Sequence, residues 1–82
     1  MKNLWIFAAG LALAVSGCGN KQVAKTSVPE SVVTAFYQRY PYAQEVDWEM
    51  SKGLYEADFK DNNGKTKEAF YRSDGTLVRV DD

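Results

Sequence analysis

The sequence predicts an α+β fold: one N-terminal helix packed on a four-stranded antiparallel meander sheet. Three observations predict it. Apolar residues recur at helical spacing between Pro29 and Tyr40, then at every second position in "EVDWEM" and "LYEADFK". Glycine-bearing turns, Ser51-Lys52-Gly53, Asp61-Asn62-Asn63-Gly64 and Ser73-Asp74-Gly75, separate the extended runs. Connections this short join antiparallel neighbours, because a parallel pair needs a crossover of a dozen residues or more.

The helix is predicted over residues 29–40. Pro29 suits the first helical position, where its missing N–H is not needed. Glu30 in the first turn is favoured by the helix dipole. Val32, Val33, Phe36, Tyr37 and Tyr40 make one apolar stripe, with Thr34, Gln38 and Arg39 on the other side. Pro41 pushes Tyr40 out of the helical region and ends the helix.

The period then changes to two. Val46, Trp48 and Met50 alternate with Glu45, Asp47 and Glu49, and Tyr55, Ala57 and Phe59 alternate with Glu56, Asp58 and Lys60. "KTKEAFYR" reads as a third strand with less clean alternation. Phe70 is its expected inward residue, which turns Tyr71 outward. "TLVRVD" is the fourth strand. The helix must cover the face carrying Val46, Trp48, Tyr55, Phe59 and Phe70, and Trp48 is expected near Phe36 or Tyr40. A domain over residues 28–82 has a small core and little stability to spare.

The first residues read as a targeting segment. Lys2 precedes an uncharged apolar run from Leu4 to Val15. A membrane-spanning helix needs roughly 20 apolar residues and a signal-peptide core about 7–15, so the run fits a signal peptide. Val15-Ser16-Gly17-Cys18 resembles the lipobox of bacterial lipoproteins, with valine where leucine is most usual. The resemblance implies cleavage before Cys18 and acylation of its thiol. Residues 1–17 would be the signal peptide, and the lipid on Cys18 would anchor the chain to a membrane, since two acyl chains suffice for stable anchoring. The polar stretch over residues 18–27 reads as a flexible tether. No acidic cluster follows Cys18, which favours a periplasm-facing placement over exposure on the cell surface.

"VPESVVTAFYQRYPYAQEVDWEM", "YEADF" and "EAFYRSDGTLVRVD" resemble the PepSY-like domain, also described as beta-lactamase-inhibitor-like. The features that match are the helix led by Pro29, the Tyr40-Pro41 stop, Trp48 on the first predicted strand, and Phe70 ahead of the Asp74-Gly75 turn. The resemblance covers residues 28–82 and implies one helix against a four-stranded sheet in a cell-envelope protein. Related inhibitors carry two such units and grip an enzyme on the sheet face. This chain has room for one.

Composition narrows the function. A net charge of -1 argues against nucleic-acid binding, and the absence of histidine removes the commonest general base and metal ligand. A single cysteine closes no internal disulfide. Ser31, Thr34 and Ser51 have no base at recognisable spacing, so no enzyme and no cofactor is expected. Asp61-Asn62-Asn63-Gly64 with Glu68 lacks the spacing of a calcium loop and reads as a turn.

What remains is a non-catalytic binding module that holds an envelope protein or peptide on its sheet face. The candidate contact residues are Asp47, Glu49, Glu56 and Asp58 on the acidic outer face, with Leu54 and Tyr71 as an apolar patch. Lys60, Lys65 and Lys67 are expected to balance the carboxylates. The alternative is a small ion- or ligand-binding envelope protein using the same acidic face.

Overall fold

The computed structural model describes residues 21–82. The expected signal peptide and the lipidation site Cys18 lie outside the described residues. Strand β1 (Lys21–Val23) leads through a 3-10 turn (Lys25–Ser27) into helix α1 (Glu30–Arg39). Four strands follow: β2 (Gln44–Ser51), β3 (Leu54–Lys60), β4 (Thr66–Tyr71) and β5 (Leu77–Asp81). They form one sheet in the order β1-β2-β3-β4-β5, antiparallel throughout.

The α+β class and the meander of the last four strands agree with the sequence reading, but the sheet has five strands and the helix follows the first of them. The additional strand arises from residues expected in the tether. Lys21, Gln22 and Val23 pair with Met50, Glu49 and Trp48 at the open edge of β2. Three mostly polar residues carry too little alternation to read as a strand. Backbone hydrogen bonding to a waiting edge recruits them, and half-buried Val23 packs against the core.

Helix α1 lies over one sheet face. Val32 and Phe36 are fully buried, while Val33, Tyr37 and Tyr40 are half-buried along the margins of the stripe. Phe36 is the centre of the core. Its ring stands edge-on to Trp48 at 5.3 Å, Phe59 at 5.0 Å, Tyr37 at 4.9 Å and Tyr71 at 6.3 Å. Edge-to-face contacts at these separations are favourable beyond the area they bury. Trp48 therefore sits where the alternation places it. At the other end of the helix, the Ser31 hydroxyl donates to the Ser73 carbonyl at 2.9 Å and ties α1 to the β4–β5 turn.

The parity of β4 is the reverse of the expected one. Tyr71 and Ala69 face the helix, and Phe70 lies on the opposite face with the guanidinium of Arg79 3.9 Å above its ring. Hairpin register explains this. Lys60 pairs with Thr66 across the loop, so Phe59, Ala57 and Tyr55 pair with Lys67, Ala69 and Tyr71 and must share their face. The loop itself is closed by Asp61, whose N–H donates to the Lys65 carbonyl and whose Oδ1 accepts from the Asn63 and Lys65 amides, both at 2.9 Å. Gly64 supplies the positive φ of +78°.

Candidate functional site

The outer sheet face has no helix over it. Reading across β2 to β5, the pairing places Asp47 opposite Asp58, Asp58 opposite Glu68, and Glu68 opposite Asp81. This is a row of four carboxylates across four strands. The next row on the same face runs Glu49, Glu56, Phe70, Arg79. Directly opposed like charges in a sheet are destabilising, so the arrangement works against the fold that presents it.

Burial sharpens the electrostatics. Glu56 is only 3% exposed, with Glu49 and Phe70 as its cross-strand neighbours. Asp58 is half-buried, and its Oδ1 has no hydrogen-bond partner among the described residues. Burial first, then a hydrogen bond with Glu56 and the charges of Glu56 and Glu49, pushes the Asp58 carboxyl up to about 8. At neutral pH the Asp58 carboxyl therefore holds a proton. Burial, with Asp58, Asp81 and Glu49 nearby, raises Glu68 as well, and Arg79 acts the other way.

Of the sequence-predicted candidates, Asp47, Glu49, Glu56 and Asp58 do share one face. Leu54 is half-buried, two positions before Glu56 on β3. Tyr71 does not join them. It is 1% exposed beneath α1, its hydroxyl has no hydrogen-bond partner among the described residues, and burial pushes the phenol up to about 12. The expected Leu54–Tyr71 patch is thus replaced by Phe70 under Arg79. Glu56 also departs from expectation, being buried where a solvated strand face would expose it.

Two of the lysines expected to balance this face, Lys60 and Lys67, pair with other carboxylates. Lys60 reaches Glu45 at 3.7 Å, and Lys67 reaches Asp61 at 3.9 Å and Asp82 at 3.6 Å. Glu45 leaves the carboxylate rows because β2 bulges between Gln44 and Asp47, with Glu45 at φ +53°. Glu68 and Asp81 were missed from the sequence. Their alternation is visible, but which carboxylates they stand beside depends on register alone.

The face can hold a proton, attract a basic segment, or coordinate a hard cation. Carboxylate oxygens of Glu49, Glu56 and Asp58 all lie within 4.8 Å of one another, a separation that a cation with oxygen ligands at 2.3–2.6 Å could bridge. Among the described residues no helix is long and apolar enough to cross a membrane. Comparison with known proteins returns no match to a family model, a curated protein or a solved structure.

Proposed function

We propose that this chain is a non-catalytic binding module of the cell envelope, a PepSY-like domain anchored through lipidated Cys18, whose outer sheet face takes a basic segment of a protein or peptide partner. One observation carries the reading: the row Asp47, Asp58, Glu68 and Asp81, which crosses four strands with a carboxyl group opposite a carboxyl group at every step. A cationic segment laid across the strands would relieve the repulsion along that row, and charge complementarity of this kind speeds association and fixes register. Phe70 under Arg79 supplies a buried aromatic beside the row.

Hexalysine is a suitable probe. The full chain should bind it at low salt and release it as the ionic strength rises past the point where the Debye length is about 10 Å. Reversing Asp47 and Asp81 to lysine should abolish the binding. If hexalysine does not bind at low salt, the basic-partner reading fails. The address has its own test: Cys18→Ala should block fatty-acid labelling, and continued labelling of that variant would refute it.

A second reading is favoured by the Glu49, Glu56 and Asp58 donor set, whose oxygens are close enough to share one ion. In that case calcium raises the melting temperature of the chain and Glu49→Gln removes the shift. Hexalysine and calcium would then compete for one surface.

A further inference from the structure

Helix α1 ends in a cleft on the helix side of the domain, away from the carboxylate rows. Its volume is about 190 Å³, and its walls include Arg39, Tyr40, Pro41, Tyr42, Asp61 and Asn62. Local chain geometry builds it. Pro41 stops the helix, the Tyr40 N–H donates to the Phe36 carbonyl at 2.8 Å, and the Ala43 N–H donates to the Tyr40 carbonyl at 3.1 Å. This turn sends Tyr42 outward, 72% exposed, the most exposed large hydrophobic among the described residues. The Tyr40 ring is held by Phe59 at 4.6 Å and Phe36 at 5.6 Å, so it is a rigid wall.

Arg39 is fixed against that wall. Its Nε donates to the Tyr40 hydroxyl at 3.1 Å, and its guanidinium lies 5.5 Å from the Tyr40 ring centre. The ion pairs of the described residues join Lys60 to Glu45, Lys67 to Asp61 and Asp82, and Arg79 to Asp81, and leave Arg39 without a carboxylate. The two Nη groups keep the planar fork that matches a carboxylate. The acid at the cleft, Asp61, is committed to its own loop. Hydrogen bonds from the Lys65 and Asn63 amides, with Lys67 nearby, hold it below the usual carboxylate range. The dipole of α1 places about half a negative charge at this end, less than the full charge of Arg39.

We propose that this cleft binds a carboxylate carried on an aromatic group the size of one amino-acid side chain. Arg39 forks onto the two carboxylate oxygens, and the ring lies against Tyr42 and Pro41. The volume is below the 300–1,000 Å³ usual for drug-sized ligands and fits a single residue. Two sources share this chemistry: the C-terminal residue of a peptide and a free aryl-alkanoic acid.

The test is a nitrogen–proton NMR titration of the full chain with acetyl-Ala-Ala-Phe, its C-terminal amide and 3-phenylpropionate. The peptide acid should saturate shifts at the Ala43 and Asn62 amides and at the Arg39 side chain. The amide should bind about tenfold more weakly or worse, and Arg39→Gln should cost about as much. Arg39→Lys should restore only part of the affinity, because an ammonium cannot fork. Tyr42→Ala should weaken binding of both acids. Tighter binding of the peptide assigns the cleft to chain termini, and equal or tighter binding of 3-phenylpropionate assigns it to free acids. An amide that binds as well as the acid, an Arg39→Gln variant of unchanged affinity, or no saturation by about 10 mM overturns the proposal. Arg39 and Tyr42 are both exposed, so neither substitution disturbs the core.

Discussion

Under α1 the sheet presents Trp48, Ala57, Phe59, Ala69 and Tyr71, all buried. On its other face the same strands present Asp47, Asp58, Glu68 and Asp81 in one row. Both faces follow the same period-two alternation, yet one is closed by a helix and the other is left open. On the closed face each added contact favours folding, because apolar area leaves water and the rings interlock. On the open face the row sets carboxyl groups side by side, which costs the fold either repulsion or a retained proton, and Arg79 offsets that cost at the Asp81 end. The proposed function rests on this difference: a basic partner would cover the open face as α1 covers the closed one.

The sharpest way to break the closed face is at its centre. Phe36→Ala removes a fully buried ring that touches Trp48, Phe59 and Tyr71. Such changes typically cost 3–5 kcal/mol, about all that a core of this size supplies. Loss of the cooperative melt by circular dichroism is the expected outcome, and Trp48→Ala should behave alike. A melt near the wild-type temperature for either variant would place the core elsewhere.

The next effect is at the edge of the same face. Gly75 has φ +92°, and a Cβ there would stand 2.7 Å from the Ser31 carbonyl oxygen at the start of α1. Gly75→Ala should cost more than the ~1–2 kcal/mol of left-handed strain alone. Gly64 provides the comparison, since its φ is +78° and a methyl there would meet nothing within 4 Å. Gly64→Ala should cost the strain and no more. Equal denaturant midpoints for the two variants would mean that the helix does not press on the β4–β5 turn.

The open face should be sensitive to pH in the opposite sense from ordinary acid denaturation. The Asp58 carboxyl rises from the usual carboxylate range in the unfolded chain to about 8 in the folded one. The folded state therefore binds more protons between those values. The stability due to Asp58 is present below the ordinary carboxylate range and is lost as pH rises through about 8. Glu68, also raised, adds in the same direction. Asp61 and Asp74, both lowered by hydrogen bonds in their turns, work the other way and lose stability as pH falls. The melting temperature should thus fall between about pH 5 and pH 8, and Asp58→Asn should flatten that slope. A slope that survives the substitution would assign it to another group.

The smallest effect on stability should come from the exposed end of the row. Asp47→Lys places an exposed cation opposite Asp58 and beside the acidic row, so stability should change by no more than about 0.5 kcal/mol, towards stabilisation. Hexalysine binding should fall well beyond that change. Charge reversal at Glu56 is a different experiment, because that side chain is buried and its loss would disturb the fold as well as the face.

Much of this architecture was legible along the chain. The 3.6-residue stripe from Val32 to Tyr40, the alternation around Trp48 and Phe59, and the turns at Gly53, Gly64 and Gly75 are local, and local sterics decide them. Even the contact of Trp48 with Phe36 follows, since a lone helix must cover the apolar face of its sheet. Tertiary structure decided the rest. Lys21–Val23 became a strand only because β2 had an open edge to pair. Tyr71 turned inward and Phe70 outward because the loop after Lys60 sets the β4 register, and a shift of one residue exchanges the two faces. The same registers bring Asp47, Asp58, Glu68 and Asp81, separated by 10 to 13 residues along the chain, into one row. Alternation is a property of a single strand, readable from its own residues. Register belongs to pairs of strands, set by backbone hydrogen bonds and loop closure, and no residue type in the row announces its neighbour.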